Sequence, residues 1–145
     1  MLISTKGRYA LQMLLDIAVH QDDGFIPLKD IAGRQDISKK YLEHIVPMLS
    51  KKGLLRTNKG TRGGYKLTKN ADKYTVGEIL RATEANFSSG AKREYLVTDS
   101  TKESEQMTMY IWDGLFDAAT EYLDSITLQD IINHNAVVSG DNYCI

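Results

Sequence analysis

The chain has a single cysteine, Cys144, in 145 residues, which excludes an internal disulfide. It has two prolines, Pro27 and Pro47, so little interrupts helix formation along most of its length. No run approaches the roughly 20 consecutive apolar residues that a membrane-spanning helix needs. The opening MLISTKGRYALQMLL has neither the order nor the cleavage site of a signal peptide, so a cytoplasmic location is expected. His20, His44 and His134 are too far apart to show metal-site spacing. The glycine-rich Gly60-Thr61-Arg62-Gly63-Gly64 is not followed by the Gly-Lys-Ser/Thr of a phosphate-binding loop. No nucleophile–base pair or carboxylate cluster stands out either, and an enzyme is the weakest reading. What is present is an ordinary globular composition, 42% apolar and 26% charged.

The net charge of −1 conceals an asymmetry. Residues 1–84 hold 15 Lys and Arg against 9 Asp and Glu, a net of +6, while residues 85–145 hold 3 against 10, a net of −7. Within 38–69 there are nine basic residues and Glu43 as the sole acid. Such concentration of positive charge favours a polyanionic partner for the first half of the chain.

Hydrophobic spacing predicts a mainly α fold with a small β wing. A first helix runs from about Thr5 to His20, with Leu11, Leu14, Leu15 and Ala18 as its buried stripe. A short second helix covers about Leu28 to Arg34, just after Pro27, with Leu28, Ile31 and Ala32 facing inward. Ser38 is the expected N-cap of a third helix, about Lys39 to Lys52, with Ile37 and Leu42 placed as a hydrophobic staple. Leu42, Ile45, Val46 and Leu49 form its apolar stripe, Pro47 falls inside it, and Gly53 is a candidate C-cap. Leu54–Thr57 and Tyr65–Leu67 read as two strands around a basic, glycine-rich tip. A fourth helix from Thr75 to about Glu84, carrying Val76, Ile79 and Leu80, closes a winged helix-turn-helix over residues 1–84.

Residues 85–103 read as a loop, 104–134 as a long helix (about Ser104 to Ser125) followed by a short one (Leu128 to His134), and 135–145 as a flexible tail. No internal repeat is visible. The long helix carries apolar residues on more than one face. That arrangement predicts burial of one face on the parent domain and another, with Met107, Ile111, Leu115, Ala118 and Tyr122, on a second copy of the chain.

A helix-turn-helix presents the N-terminal part of its second helix to the major groove of DNA. Here that part offers Ser38, Lys39, Lys40, Glu43 and His44. Glu43 can accept from cytosine N4, and an acid inside a basic field suggests base reading rather than phosphate contact. The plainer alternative is a solvated i,i+4 pair with Lys39. Lys59 and Arg62 on the wing are placed for the minor groove or for phosphate.

Three separated stretches resemble the Rrf-two family of bacterial transcriptional regulators. They are Ile3-Ser4-Thr5-Lys6-Gly7-Arg8-Tyr9-Ala10, Ile37-Ser38 with Tyr41-Leu42-Glu43, and Gly63-Gly64-Tyr65; the long helix and Thr127-Leu128-Gln129-Asp130 continue the likeness more loosely. The resemblance implies a homodimer that binds a palindromic operator in double-stranded DNA. It implies that Ser38, Lys40 and Glu43 read bases, that Lys59 enters the minor groove, and that Ser4, Thr5, Lys6 and Tyr41 meet phosphates. Two wing residues depart from the pattern: Lys59 stands where the family often has Arg, and Arg62 where glycine is common.

Iron–sulfur members of that family carry three clustered cysteines before the dimer helix, because thiolates hold the cluster. Residues 85–110 contain neither Cys nor His, so no iron–sulfur cofactor and no other metal is expected. The resemblance is nearest to the cysteine-metabolism repressors of the CymR type, which act with cysteine synthase (O-acetylserine sulfhydrylase). That enzyme captures peptide tails ending in isoleucine, and this chain ends Tyr143-Cys144-Ile145. The expectation is a dimeric repressor of cysteine or sulfur genes. The alternatives are a family regulator answering another signal, and a winged-helix protein–protein adaptor that binds no DNA.

Overall fold

A computed structural model describes residues 3–87 and 103–141. Six α-helices and one two-stranded sheet follow in order: α1 Thr5–Val19, α2 Leu28–Gln35, α3 Lys39–Lys51, β1 Leu55–Asn58, β2 Gly64–Leu67, α4 Val76–Thr83, α5 Glu103–Asp124 and α6 Leu128–Asp141. Short 3-10 turns lie at Gln21–Asp23, Ala71–Lys73 and Ala85–Phe87. Among the described residues no helix is long and apolar enough to cross a membrane.

The core forms around α1, which meets α2, α3, α4, α6 and β2. Being enclosed from several directions, α1 buries Ala10, Met13, Leu14, Ile17 and Ala18, a wider surface than one stripe. Leu11 and Leu15, assigned to that stripe from the sequence, are only partly buried; Leu11 packs both against this core and against a second cluster of Val76, Leu80 and Phe87. The most unexpected core group is Asp16, 3% exposed. Its carboxylate accepts from Arg34 Nε (3.0 Å), Arg34 Nη2 (2.8 Å) and Gln35 Nε2 (2.8 Å), which fastens the end of α2 to α1. Burial pushes this carboxyl up, but the Arg34 and Gln35 hydrogen bonds and the nearby charges outweigh it and hold Asp16 below its ordinary range.

The turn from α2 to α3 passes through Asp36 in the left-handed region, φ 52°. Ser38 then caps α3, its hydroxyl accepting from Tyr41 N–H at 3.0 Å, and Ile37 and Leu42 are both buried as the staple requires. Leu42, Ile45 and Leu49 face the core. Gly53, at φ 71°, follows the last turn.

Strands β1 and β2 pair antiparallel, with Leu55 opposite Leu67 and Asn58 opposite Gly64. A third backbone segment joins them, since Ile26 and Tyr65 exchange both N–H to carbonyl bonds at 2.9 Å. Gly64 makes that approach possible: a Cβ there would overlap the Ile26 carbonyl. The wing is anchored from below by Tyr74, fully buried, whose hydroxyl donates to the Leu54 carbonyl (2.8 Å) and accepts from Thr68 N–H (2.9 Å).

Helix α5 touches this unit mainly through α4. Phe116 packs beside Phe87, and Asp124 accepts two bonds from the Arg81 guanidinium. The chain then returns to the first unit: Val76 N–H donates to the Ile126 carbonyl, Leu128 N–H to the Tyr74 carbonyl, and Leu128 is fully buried. Thr127 and Asp130 cap α6 reciprocally, side chain to backbone in each direction. The sequence ended this helix at His134 and began a flexible tail at 135; the helix continues to Asp141. Its first turns are fixed by Leu128, with Ile131 and Ile132 packed on the core, and the later turns propagate from that anchored start.

Candidate nucleic-acid interface

The residues expected to meet DNA gather on one exposed surface of α3 and on the wing. Ser38, Lys40, Tyr41 and His44 line a shallow hollow of about 270 Å³ along α3. A second groove, about 360 Å³, runs between α3 and the wing and is bordered by Lys39, Glu43, Lys29 of α2 and Asn58 of β1. Lys39, Lys40, Glu43 and His44 are exposed because the apolar stripe of α3 points the other way. Tyr41 is half-buried, with its ring edge-on to Tyr9 of α1 (centroids 5.3 Å apart, planes at 80°), which fixes α3 against α1.

Electrostatically the surface is open. Lys39 approaches Glu43 at 4.0 Å, with both side chains more than half exposed, a pairing too loose to hold either. Among the described residues the side chains of Lys29, Lys40, Lys59 and Arg62 make no ion pair or hydrogen bond. Lys59 and Arg62 both lie exposed at the tip of the β1–β2 hairpin. Gly63 beside them is fixed by close packing, since a Cβ there would press on the Asn58 and Gly60 carbonyls.

The start of α1 is arranged differently. Ser4 is the N-cap of α1, accepting from Gly7 N–H at 3.3 Å, and its own N–H and hydroxyl both donate to Glu84 Oε1. Its polar groups are therefore turned toward α4, whereas Thr5 is exposed and Lys6 half-exposed. Glu84 had no assigned role in the sequence, since its partner lies 80 residues away. Lys29 and Asn58 were missed for a related reason: each looks like an ordinary surface residue until the fold sets it beside α3.

On α5 the five residues assigned to a dimer contact are all exposed, Met107 at 67%, Leu115 at 55% and Tyr122 at 65%, with Ile111 and Ala118 between them. Tyr110 and Trp112 add to the same uncovered surface. Tyr143, Cys144 and Ile145 lie outside the described residues.

Three helices, a hairpin wing, and a second helix offering unpaired cations define a winged-helix DNA-binding regulator. A family model described as Rrf2, iron-dependent transcriptional regulator, matches residues 3–134, and the chain belongs to that family. It is 35% identical over 140 residues to the HTH-type transcriptional regulator IscR of Pectobacterium atrosepticum, covering 96% of this chain and 84% of that one. To IscR of Escherichia coli it is 37% identical over 142 residues, covering 97% and 86%. Among solved structures, T. potens IscR aligns with TM-score 0.75 and 32% identity over 93% of this chain and 88% of that one. CymR, the global cysteine regulator of B. subtilis, aligns with TM-score 0.75 and 33% identity over 92% and 98%. These relatives are regulators of transcription and not enzymes, and so is this chain.

The comparisons correct one expectation. Absence of an iron–sulfur cofactor was inferred from missing cysteines, but the family is described as iron-dependent and the relatives at 35–37% identity are named IscR. Freedom from a cofactor is therefore not a property to assign to this chain. The donor set does not itself build a cluster site: among the described residues no three His, Cys, Asp or Glu side chains converge, and the one cysteine, Cys144, lies outside them.

Proposed function

We propose that the chain is a dimeric, sequence-specific repressor that reads a palindromic operator. The carrying observation is the surface of α3 and the wing, where Ser38, Lys40 and His44 line one hollow, Lys39 and Glu43 border a second, and the cations lie unneutralised. In this reading Ser38, Lys40 and Glu43 read base edges, and Lys59 and Arg62 reach the minor groove or its phosphates. Thr5, Lys6 and Tyr41 meet phosphates; Ser4 joins them by giving up its bonds to Glu84. Two copies meet through Met107, Ile111, Leu115, Ala118 and Tyr122, which sets two recognition helices about one helical turn of DNA apart.

Selection from a random-sequence duplex library with the full chain tests this. The expected result is enrichment of two inverted half-sites, with Glu43→Ala changing the preferred bases. Recovery of no common sequence would refute sequence-specific reading and favour the adaptor alternative.

The regulated genes are proposed to be those of cysteine and sulfur metabolism, with cysteine synthase captured through Tyr143-Cys144-Ile145. The likeness to the B. subtilis global cysteine regulator favours this reading. The IscR relatives favour a different signal. Calorimetric titration with O-acetylserine sulfhydrylase separates the two. Binding lost on deleting Ile145 supports the cysteine reading, and no binding by the full chain contradicts it.

A further inference from the structure

We propose that Lys29 and Asn58 hold a backbone phosphate of duplex DNA in the groove between α3 and the wing, an assignment that rests on the DNA-binding reading. When α3 occupies the major groove and the hairpin reaches the minor groove, the strand dividing the two grooves must cross the space between them. That space is the groove of about 360 Å³. Its rim carries two cations and one acid. Lys39 lies 4.0 Å from Glu43 in a loose, exposed pair, whereas Lys29 pairs with no acid among the described residues. Lys29 is exposed and its side chain makes no bond or ion pair among the described residues, so it can turn to an incoming anion without breaking a contact.

Asn58 completes the pocket from the other wall. It is the last residue of β1, opposite Gly64, and its exposed side-chain amide can donate to a phosphate oxygen. Gly60, Gly63 and Gly64 also line the groove and put no side chain in the strand's path. Lysine and asparagine here contact the sugar–phosphate chain and carry no sequence information. Glu43, on the same rim, is left for base edges. The groove thus separates positioning from reading across a few residues.

The test uses the full chain and a labelled 30-base-pair duplex of mixed sequence, titrated between 50 and 200 mM KCl. Lys29→Gln is expected to lower the slope of log affinity against log salt by roughly 0.9, the loss of one phosphate contact. Asn58→Ala is expected to weaken binding about fivefold with little change in slope, since a neutral hydrogen bond is lost. Neither should alter the sequence recovered from a random library. Lys73→Gln, an exposed cation outside the groove, controls for general charge and should change the slope less. If Lys29→Gln and Asn58→Ala bind as the unsubstituted chain does, or if Lys73→Gln matches Lys29→Gln, the phosphate assignment is overturned. Glu43→Ala shifting the selected sequence in that same experiment would leave the DNA reading intact. Failure of the unsubstituted chain to bind any duplex would overturn both. Thermal melting followed by circular dichroism verifies that each variant is folded.

Discussion

The first unit and helix α5 treat apolar side chains in opposite ways. Around α1 most large apolar residues are sealed, Met13, Leu14, Ile31, Ile45 and Leu49 fully, with Val19 at the end of the helix the exposed exception. Along the 22 residues of α5 only Phe116 is buried, while Met107, Tyr110, Leu115 and Tyr122 are more than half exposed. A helix that held its place by packing on its own domain would turn such residues inward. An uncovered apolar face of this extent marks a surface made for a partner, and a second α5 is the proposed partner. The first unit, with Leu128 of α6 sealed into its core, is covered by the chain itself, whereas the apolar face of α5 is not.

The largest effects should come from the sealed side of this contrast. Leu14→Ala or Ile45→Ala is expected to remove about 3 kcal/mol of unfolding free energy in urea titration, because each leaves a cavity. Within one protomer the Leu115 side chain is already half in water, so Leu115→Ala should act mainly on the dimer, making the urea midpoint more dependent on protein concentration.

Next comes the buried carboxylate. Asp16→Ala is expected to cost about 3 kcal/mol by removing the carboxylate that Arg34 and Gln35 bond to, moderated because Arg34 is partly exposed. Since the Asp16 carboxyl is held below its ordinary value, its contribution is present above that value and lost as pH falls through the lowered one. Stability of the unsubstituted chain should therefore drop below about pH 4, and that of Asp16→Asn should drop less over the same window.

A smaller effect belongs to the tie between the two regions. Arg81→Ala removes the bidentate contact with Asp124, but both side chains are partly exposed. The global cost should stay near 1 kcal/mol or less. Faster amide exchange is expected in the second half of α5, with exchange in α1 unchanged. Smallest of all, Asp36→Gly relieves the left-handed turn at φ 52° and should stabilise the chain by about half a kcal/mol in thermal melting.

Local signals made the element order legible. Ser38 caps its helix as a short polar residue before an apolar run, and glycine marks the wing; Thr75, read as the first residue of α4, is its N-cap. Contacts between distant positions were not legible. Asp16 looks like a solvated helix residue until Arg34 and Gln35, 18 and 19 residues on, enclose it. Tyr74 carries no local sign that its hydroxyl will tie Leu54 to Thr68. The α1 stripe was right at Leu14 and Ala18 but missed Ala10, Met13 and Ile17, because spacing alone assumes one neighbour, whereas this helix has several. The groove beside α3 escaped for the same reason: its walls come from three elements. The expectation of no cofactor rested on counting thiols in one chain, and the iron-dependent description of the family and the IscR relatives overturn it.

Sedimentation equilibrium of the full chain, alone and with a duplex recovered from the random library, tests the contrast most directly. A dimer in both conditions is expected, two chains per duplex, with Leu115→Asp yielding a folded monomer. A monomeric unsubstituted chain that binds the duplex one to one would contradict it.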